Sequence, residues 1–223
     1  MNVVITGANR GIGLEFVRHY LAQGCEVWAG YRRDEGGLDE LHGDALHLFR
    51  IDVAHDVDRI TGQLPERIDL LINNAGIYGP KKGGQSLDDV TPEAMLEVFN
   101  VDCVGPLRVV QSLKQRVIDA KGVIANVSSK MGSSGDNTSG GTYAYRAAKA
   151  ALVIVSKSMA VDLASYGVRV ITLHPGWVKT DMTGRTGLID APASVAGMTD
   201  VIAHADDYDP GSFIAFDGKV VPY

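Results

Sequence analysis

Tyr145-Arg146-Ala147-Ala148-Lys149 sets a phenol and an ammonium four residues apart. On a helix that spacing puts both side chains on one face. A free tyrosine ionises near ~10 and exchanges protons poorly at neutral pH. A neighbouring ammonium favours the phenolate and lowers that value. A lowering of ~3 pH units corresponds to ~4 kcal/mol of differential interaction. An oriented lysine in a low-dielectric cleft, helped by the positive charge of an oxidised nicotinamide, is a sufficient source for it. The pair by itself is a common product of helical spacing, so its meaning depends on what stands around it.

A second chemical feature lies at the other end of the chain. Thr6-Gly7-Ala8-Asn9-Arg10-Gly11-Ile12-Gly13 follows the first apolar run and opens the first helical pattern. Gly7 permits a tight turn, Gly11 lets the backbone approach a pyrophosphate, and Gly13 lets helix pack closely on strand. The free N–H groups at the helix start complete an anion site. The spacing is Gly-x3-Gly-x-Gly, which departs from G-x-G-x-x-G, so its place between strand and helix gives it its weight. An NAD site puts a carboxylate at the end of the second strand for the ribose 2′-hydroxyl. This chain reads Ala29-Gly30-Tyr31-Arg32-Arg33 there, and Arg10 reaches the same place from the glycine turn. Guanidinium groups from Arg10 and Arg32 around a 2′-phosphate favour NADP(H) through charge-assisted, bidentate hydrogen bonds. Asp34 and Glu35 follow at once and dilute that positive field.

Short apolar runs predict the strands that carry these features: Val3–Thr6, Glu26–Gly30, Ala45–Ile51, Leu70–Asn73, Val123–Val127, Val168–Leu173 and Phe213–Phe216. Most are apolar throughout, as in a parallel sheet covered on both faces. Helical periodicity fills Gly11–Gln23. Thr91-Pro92-Glu93 has the cap, first-turn proline and early acid of a helix start, and Pro106 should kink the helix that follows. A long helix is expected from about Tyr143 to Ser165, ending near Gly167. The Gly- and Ser-rich stretches Lys81–Ser86 and Gly132–Gly141 read as loops. Alternation of strand and helix predicts an α/β fold: a single-domain, doubly wound, Rossmann-type parallel sheet of about seven strands spanning 1–223.

Composition narrows the function. The net charge of −6 with no basic run argues against nucleic-acid and anionic-membrane partners. No apolar stretch approaches the ~18 residues of a membrane span, and Met1 leads straight into Val3-Val4-Ile5 with no signal-peptide pattern. The cytoplasm is the expected compartment. Cys25 and Cys103 stand alone, and none of the six histidines has metal-ligand spacing, so no metal is expected.

Taken together, Thr6–Gly13, Asn73-Asn74-Ala75-Gly76, Asn100, Ser128-Ser129 and Tyr145-x3-Lys149 resemble the short-chain dehydrogenase/reductase family in order and context, over essentially the whole chain. Gly140–Arg146 and His174–Met182 resemble its sniffer-like and C-factor-like carbonyl reductase branch. The resemblance implies an NADP(H)-dependent oxidoreductase acting on an aldehyde, ketone or quinone. Tyr145 would exchange the proton with substrate, Lys149 would assist it and hold the nicotinamide ribose, and Ser129 would bind the substrate oxygen. Asn100 would hold a water that links Lys149 to solvent. The family serine stands three before a glycine, which selects Ser129 over Ser128. Only Tyr145, not Tyr143, has a lysine at i+4. The cofactor residues implied are Gly7, Asn9, Arg10, Gly11, Ile12 and Gly13 in the first turn, with Arg32 after the second strand. Asp52 and Val53 follow the third, Asn74, Ala75 and Gly76 the fourth, and Pro175, Gly176, Val178 and Thr180 the sixth. A homodimer or homotetramer is the family's habit.

Two stretches depart from the family pattern. Ser129 and Tyr145 are separated by a few extra residues in 135–141, beside the expected pocket mouth. The substrate-lid segment, 181–203, is short, which suggests an open pocket. The competing expectation is a non-catalytic NADP(H)-binding sensor or signalling protein on the same fold.

Overall fold

The structure is a computed structural model that describes residues 1–55, 57–80 and 83–223, with the backbone alone at 58–60. Seven strands form one parallel sheet: β1 (Asn2–Thr6), β2 (Glu26–Tyr31), β3 (Leu46–Arg50), β4 (Leu70–Asn73), β5 (Val123–Val127), β6 (Arg169–His174) and β7 (Phe213–Ala215). Their order is β3-β2-β1-β4-β5-β6-β7. The expected strands are all present, with ends moved by a residue or two. Of the expected loop Lys81–Ser86, Lys81 and Lys82 lie outside the described residues.

The strand sequences are apolar on both sides because both sides are covered. Val3 and Ile5 of β1 join one core with Phe16 and Val17 of helix α1 (Gly11–Ala22) and Val195 and Met198 of α5 (Ala191–Ala203). Val4 and Leu71 point the other way, into a second core with Val109 and Leu113 of α3 (Gly105–Ala120) and Met159 of α4 (Tyr143–Leu163). The period-two alternation of β1 thus feeds two separate cores.

The helix begun at Thr91 behaves differently from the simple proline kink the sequence suggests. The Thr91 side chain accepts a hydrogen bond from the Ala94 N–H and starts α2 (Pro92–Phe99). The chain then makes one wide π turn, Asn100–Val104, in which the Gly105 N–H donates to the Asn100 carbonyl. Only afterwards does α3 begin, with Pro106 in its first turn. A proline there lacks the N–H that an unbroken α-helix needs four residues after Asp102. Widening the turn moves the missing donor to a helix start, where no donor is required.

Strand order reverses between β1 and β4, and the crevice beyond their C-terminal ends is where such sheets bind ligands. The glycine turn sits at that point. Thr6 Oγ1 accepts from the N–H groups of Asn74 and Ala75, at 3.1 Å each, and Asn74 Nδ2 donates to Gly7 O at 2.9 Å. A Cβ on Gly13 would lie 2.1 Å from Gly7 O and 2.5 Å from Asn74 Nδ2. Gly13→Ala must therefore move the turn or break this brace. It is expected to destabilise the fold by about 1–3 kcal/mol and to abolish dinucleotide binding, checked by denaturant unfolding and by NADPH fluorescence titration.

Candidate active site

Helix α4 carries both chemical side chains, and its first turn is held from outside. Thr142, at its N-cap, is left-handed (φ 54) and makes no side-chain cap. Gln85 takes over that role from a loop sixty residues earlier: its Oε1 accepts from the Tyr145 N–H at 2.9 Å, and its backbone carbonyl accepts from the Tyr143 N–H at 3.2 Å. Its Nε2 donates to Tyr78 O at 2.7 Å. The buried Gln85 thereby ties the segment after β4 to the start of α4. Tyr78 lays its ring 5.1 Å from that of Tyr145. Tyr143, by contrast, is exposed and lines neither of the two cavities at the site.

Tyr145 and Lys149 are both buried, at 8% and 4% exposure. Lys149 Nζ lies 5.7 Å from the Tyr145 ring centre. It donates to Val127 O at 3.0 Å. Ser129, just beyond β5, starts a short turn, with its Oγ accepting from the Met131 N–H at 3.2 Å. The Ser129 hydroxyl lies beside the Tyr145 phenol and favours its ionised form. Ser128 Oγ instead donates to Lys149 O at 2.8 Å and fixes β5 to α4. His174 accepts the Lys130 N–H on Nδ1 at 3.2 Å. Burial and the Lys130 charge push His174 down to about 4, so it is a neutral part of the wall.

Asn100 is not part of this cluster. Its Nδ2 donates to Ala54 O at 3.2 Å, and its Oδ1 accepts from Arg108 at 2.6 Å, so its polar groups serve the junction between α2 and β3. It lines neither cavity. The residue beside Lys149 is Asp102, in the middle of the π turn and without any exposed surface. Asp102 Oδ1 accepts from the Ile77 N–H at 2.8 Å, and Oδ2 lies 3.3 Å from Lys149 Nζ. The correction has a helical cause. The two residues are about half a turn apart, so they leave the helix on different sides, and the widened turn aims the second one at α4. Gln85 and Asp102 were both missed in the sequence. Gln85 gives no local signal. Asp102 gives a faint one, an acid placed four before a proline in an otherwise apolar run.

The acid–base expectation for Tyr145 also changes. Burial pushes its phenol up, the Lys149 ammonium pulls it down, and Asp102 pushes it up again; the net direction is upward. Burial is the largest influence and opposes the charge on Lys149, but the Asp102 carboxylate, the Tyr145 phenol, the hydrogen bond to Asp102 and the Cys103 thiol together hold the ammonium above its ordinary value.

Two adjoining cavities meet at this cluster. One, of about 1000 Å³, is lined by Ser129, Tyr145, Lys149, Pro175, Gly176 and Val178. The other, of about 850 Å³, runs over the glycine turn past Arg10, Arg32, Asp52, Val53 and Ala75, with Gly7, Asn9, Gly11 and Gly13 in its floor. Ile12, Asn74, Gly76 and Thr180 border both. Neither Arg10 nor Arg32 is paired with a carboxylate among the described residues. Arg10 precedes α1 without capping it, so the helix's first N–H groups face the crevice. Free N–H groups, unpaired guanidiniums and a glycine floor fit a dinucleotide phosphate chain.

The short chain dehydrogenase pattern matches residues 1–188. The chain belongs to the short-chain dehydrogenase/reductase family. C-signal of Myxococcus xanthus is 41% identical over 160 residues, covering 70% of this chain and 93% of that one. Carbonyl reductase Sniffer of D. melanogaster superposes with a TM-score of 0.92 at 29% identity, covering 100% of this chain and 99% of that one. A carbonyl reductase from Pseudomonas aeruginosa PAO1 in complex with NADP superposes at 0.85 with 33% identity and the same coverage. These likenesses place the chain with the sniffer-like and C-factor-like branch of NAD(P)-dependent oxidoreductases. Among the described residues no helix is long and apolar enough to cross a membrane.

If Gln85 positions the acid–base group, Gln85→Ala leaves the buried Tyr145 N–H unanswered. The loss is expected to cost about 1–3 kcal/mol in stability. Turnover should fall while NADPH affinity stays unchanged, measured by urea unfolding, steady-state kinetics and cofactor titration.

Proposed function

We propose that this protein is an NADP(H)-dependent carbonyl reductase in which Tyr145 gives a proton to the substrate oxygen. The observation that carries the reading is the meeting of Ser129, Tyr145 and Lys149 on the wall of the larger cavity, where it opens onto the phosphate crevice. When bound, the nicotinamide supplies the hydride, which no side chain can do. Ser129 and Tyr145 line the same cavity, where a carbonyl oxygen would accept from both hydroxyls. Developing negative charge on that oxygen is stabilised before the proton moves. Lys149 keeps a positive charge beside the phenol and presents its ammonium toward the site where a ribose would lie. Arg10 and Arg32 at the far end of the crevice favour a 2′-phosphate, hence NADP(H) over NAD(H). The short turn 181–187 before α5 leaves the mouth wide, which suits a range of aldehydes, ketones and quinones.

A second reading has one specific observation behind it, the similarity to C-signal, a protein named as a signal. On that reading the fold binds the dinucleotide without turnover. NADPH consumption across a carbonyl panel separates the two. The reductase reading expects turnover with NADPH well above NADH, and a loss of about 10²–10⁴-fold in kcat for Tyr145→Phe with NADPH binding retained. Tight NADPH binding with no carbonyl reduced by either protein would favour the signal reading.

A further inference from the structure

Asp102 is a buried acid that the proposed reaction does not use directly, and it lies against the one lysine that the reaction needs. It sits behind the cavity wall and lines neither cavity. An amide in its place would still accept the Ile77 N–H and would leave the Lys149 ammonium without a counter-charge. A carboxylate makes a neutral pair instead.

We propose that Asp102 tempers the site's acid–base group through the lysine: paired with Lys149 behind the wall, its carboxylate offsets the ammonium's pull on the Tyr145 phenol. This rests on the reading of Tyr145 as the proton-transfer group.

The geometry supports the proposal from each side. Lys149 Nζ has the Asp102 carboxylate at 3.3 Å, the Val127 carbonyl at 3.0 Å and the Tyr145 ring at 5.7 Å. The titratable groups around Tyr145 are Lys149 on α4, Asp102 and Cys103 on the π turn, and Tyr78 after β4, with the Ser129 hydroxyl after β5. Burial pushes Cys103 up to about 11, so it stays a neutral thiol at physiological pH. Burial pushes the Asp102 carboxyl above its ordinary value, against the pull of the Lys149 ammonium and the Ile77 N–H; ionised, it and Lys149 are charges of opposite sign, side by side. Low-dielectric surroundings make each count strongly, and their fields at Tyr145 cancel in large part. Burial of the phenol then decides, and it favours the neutral form.

The consequence concerns pH, since no enzyme residue alters the overall equilibrium. In reduction the Tyr145 O–H bond breaks, its proton goes to the carbonyl oxygen, and the hydride from the reduced nicotinamide goes to the carbonyl carbon. The phenolate left behind lies near a carboxylate as well as an ammonium, so it regains its proton from solvent at neutral pH. The acid form persists below the phenol's pKa. Raising that pKa extends reduction to higher pH and delays the base-dependent oxidation limb by the same amount.

The test reads the phenolate itself, without substrate or cofactor. Near-ultraviolet tyrosinate absorbance is titrated in the whole protein, and the Tyr145→Phe curve is subtracted to isolate Tyr145. The expected wild-type result is ionisation above the ~10 of free tyrosine, or only as the protein unfolds. Asp102→Asn, checked for folding by circular dichroism, is expected to ionise Tyr145 at least one pH unit lower, a tenfold loss of proton affinity. Superimposed curves for wild type and Asp102→Asn would overturn the proposal. So would wild-type phenolate below about pH 8, and that arm decides even if Asp102→Asn fails to fold. A failed carbonyl panel would instead sink the reductase reading and leave this titration interpretable.

Discussion

A lysine ammonium has been taken out of water at Lys149, and much of the site is arranged around that fact. A buried charge must be paired and hydrogen-bonded or it will be lost. Here the partners come from three separate elements: the Val127 carbonyl at the end of β5, the Asp102 carboxylate in the π turn, and Tyr145 one turn back on α4. Removing any of them leaves the others mismatched. The sheet fixes β5, the Ser128 hydroxyl locks β5 to the Lys149 carbonyl, and the break before Pro106 aims Asp102. The state of this buried charge is thus a property of how three elements cross.

The same dependence explains why α4 needs help at its start. Its N-terminal turn faces the cavity, where a helix would usually have a capping side chain of its own. Thr142 is left-handed and does not cap, and Gln85 supplies the acceptor from the segment that also places Tyr78. The loop 135–141 is held by Arg146, which donates to Gly141 O at 3.1 Å and to Ser139 Oγ at 2.8 Å. One residue next to Tyr145 therefore anchors this loop.

The strand positions, the glycine turn and the Tyr145–Lys149 pair were legible because each depends on local sequence: apolar runs, glycines where side chains clash, and a four-residue spacing. Ser129 was distinguished from Ser128 by a glycine three residues on. Asn100 was misplaced because its role depended on which way a helix points after an irregular turn, and a regular period cannot carry that information. Asp102 and Gln85 belong to the same class. Both act across long sequence separations, through hydrogen bonds that no periodic pattern encodes. The direction of the Tyr145 shift was hidden for a related reason, since spacing shows the lysine and conceals the burial and the second charge.

Everything in the proposed chemistry requires Tyr145, supported by Lys149, to face the reactive end of a dinucleotide lying across the two cavities. A crystal structure with NADP bound decides whether it does. The nicotinamide ring is expected in the larger cavity beside the Tyr145 phenol, the ribose hydroxyls within hydrogen-bond reach of Lys149 Nζ, and the 2′-phosphate between Arg10 and Arg32. A nicotinamide lying outside that cavity, with Tyr145 and Lys149 touching no part of the cofactor, would contradict it.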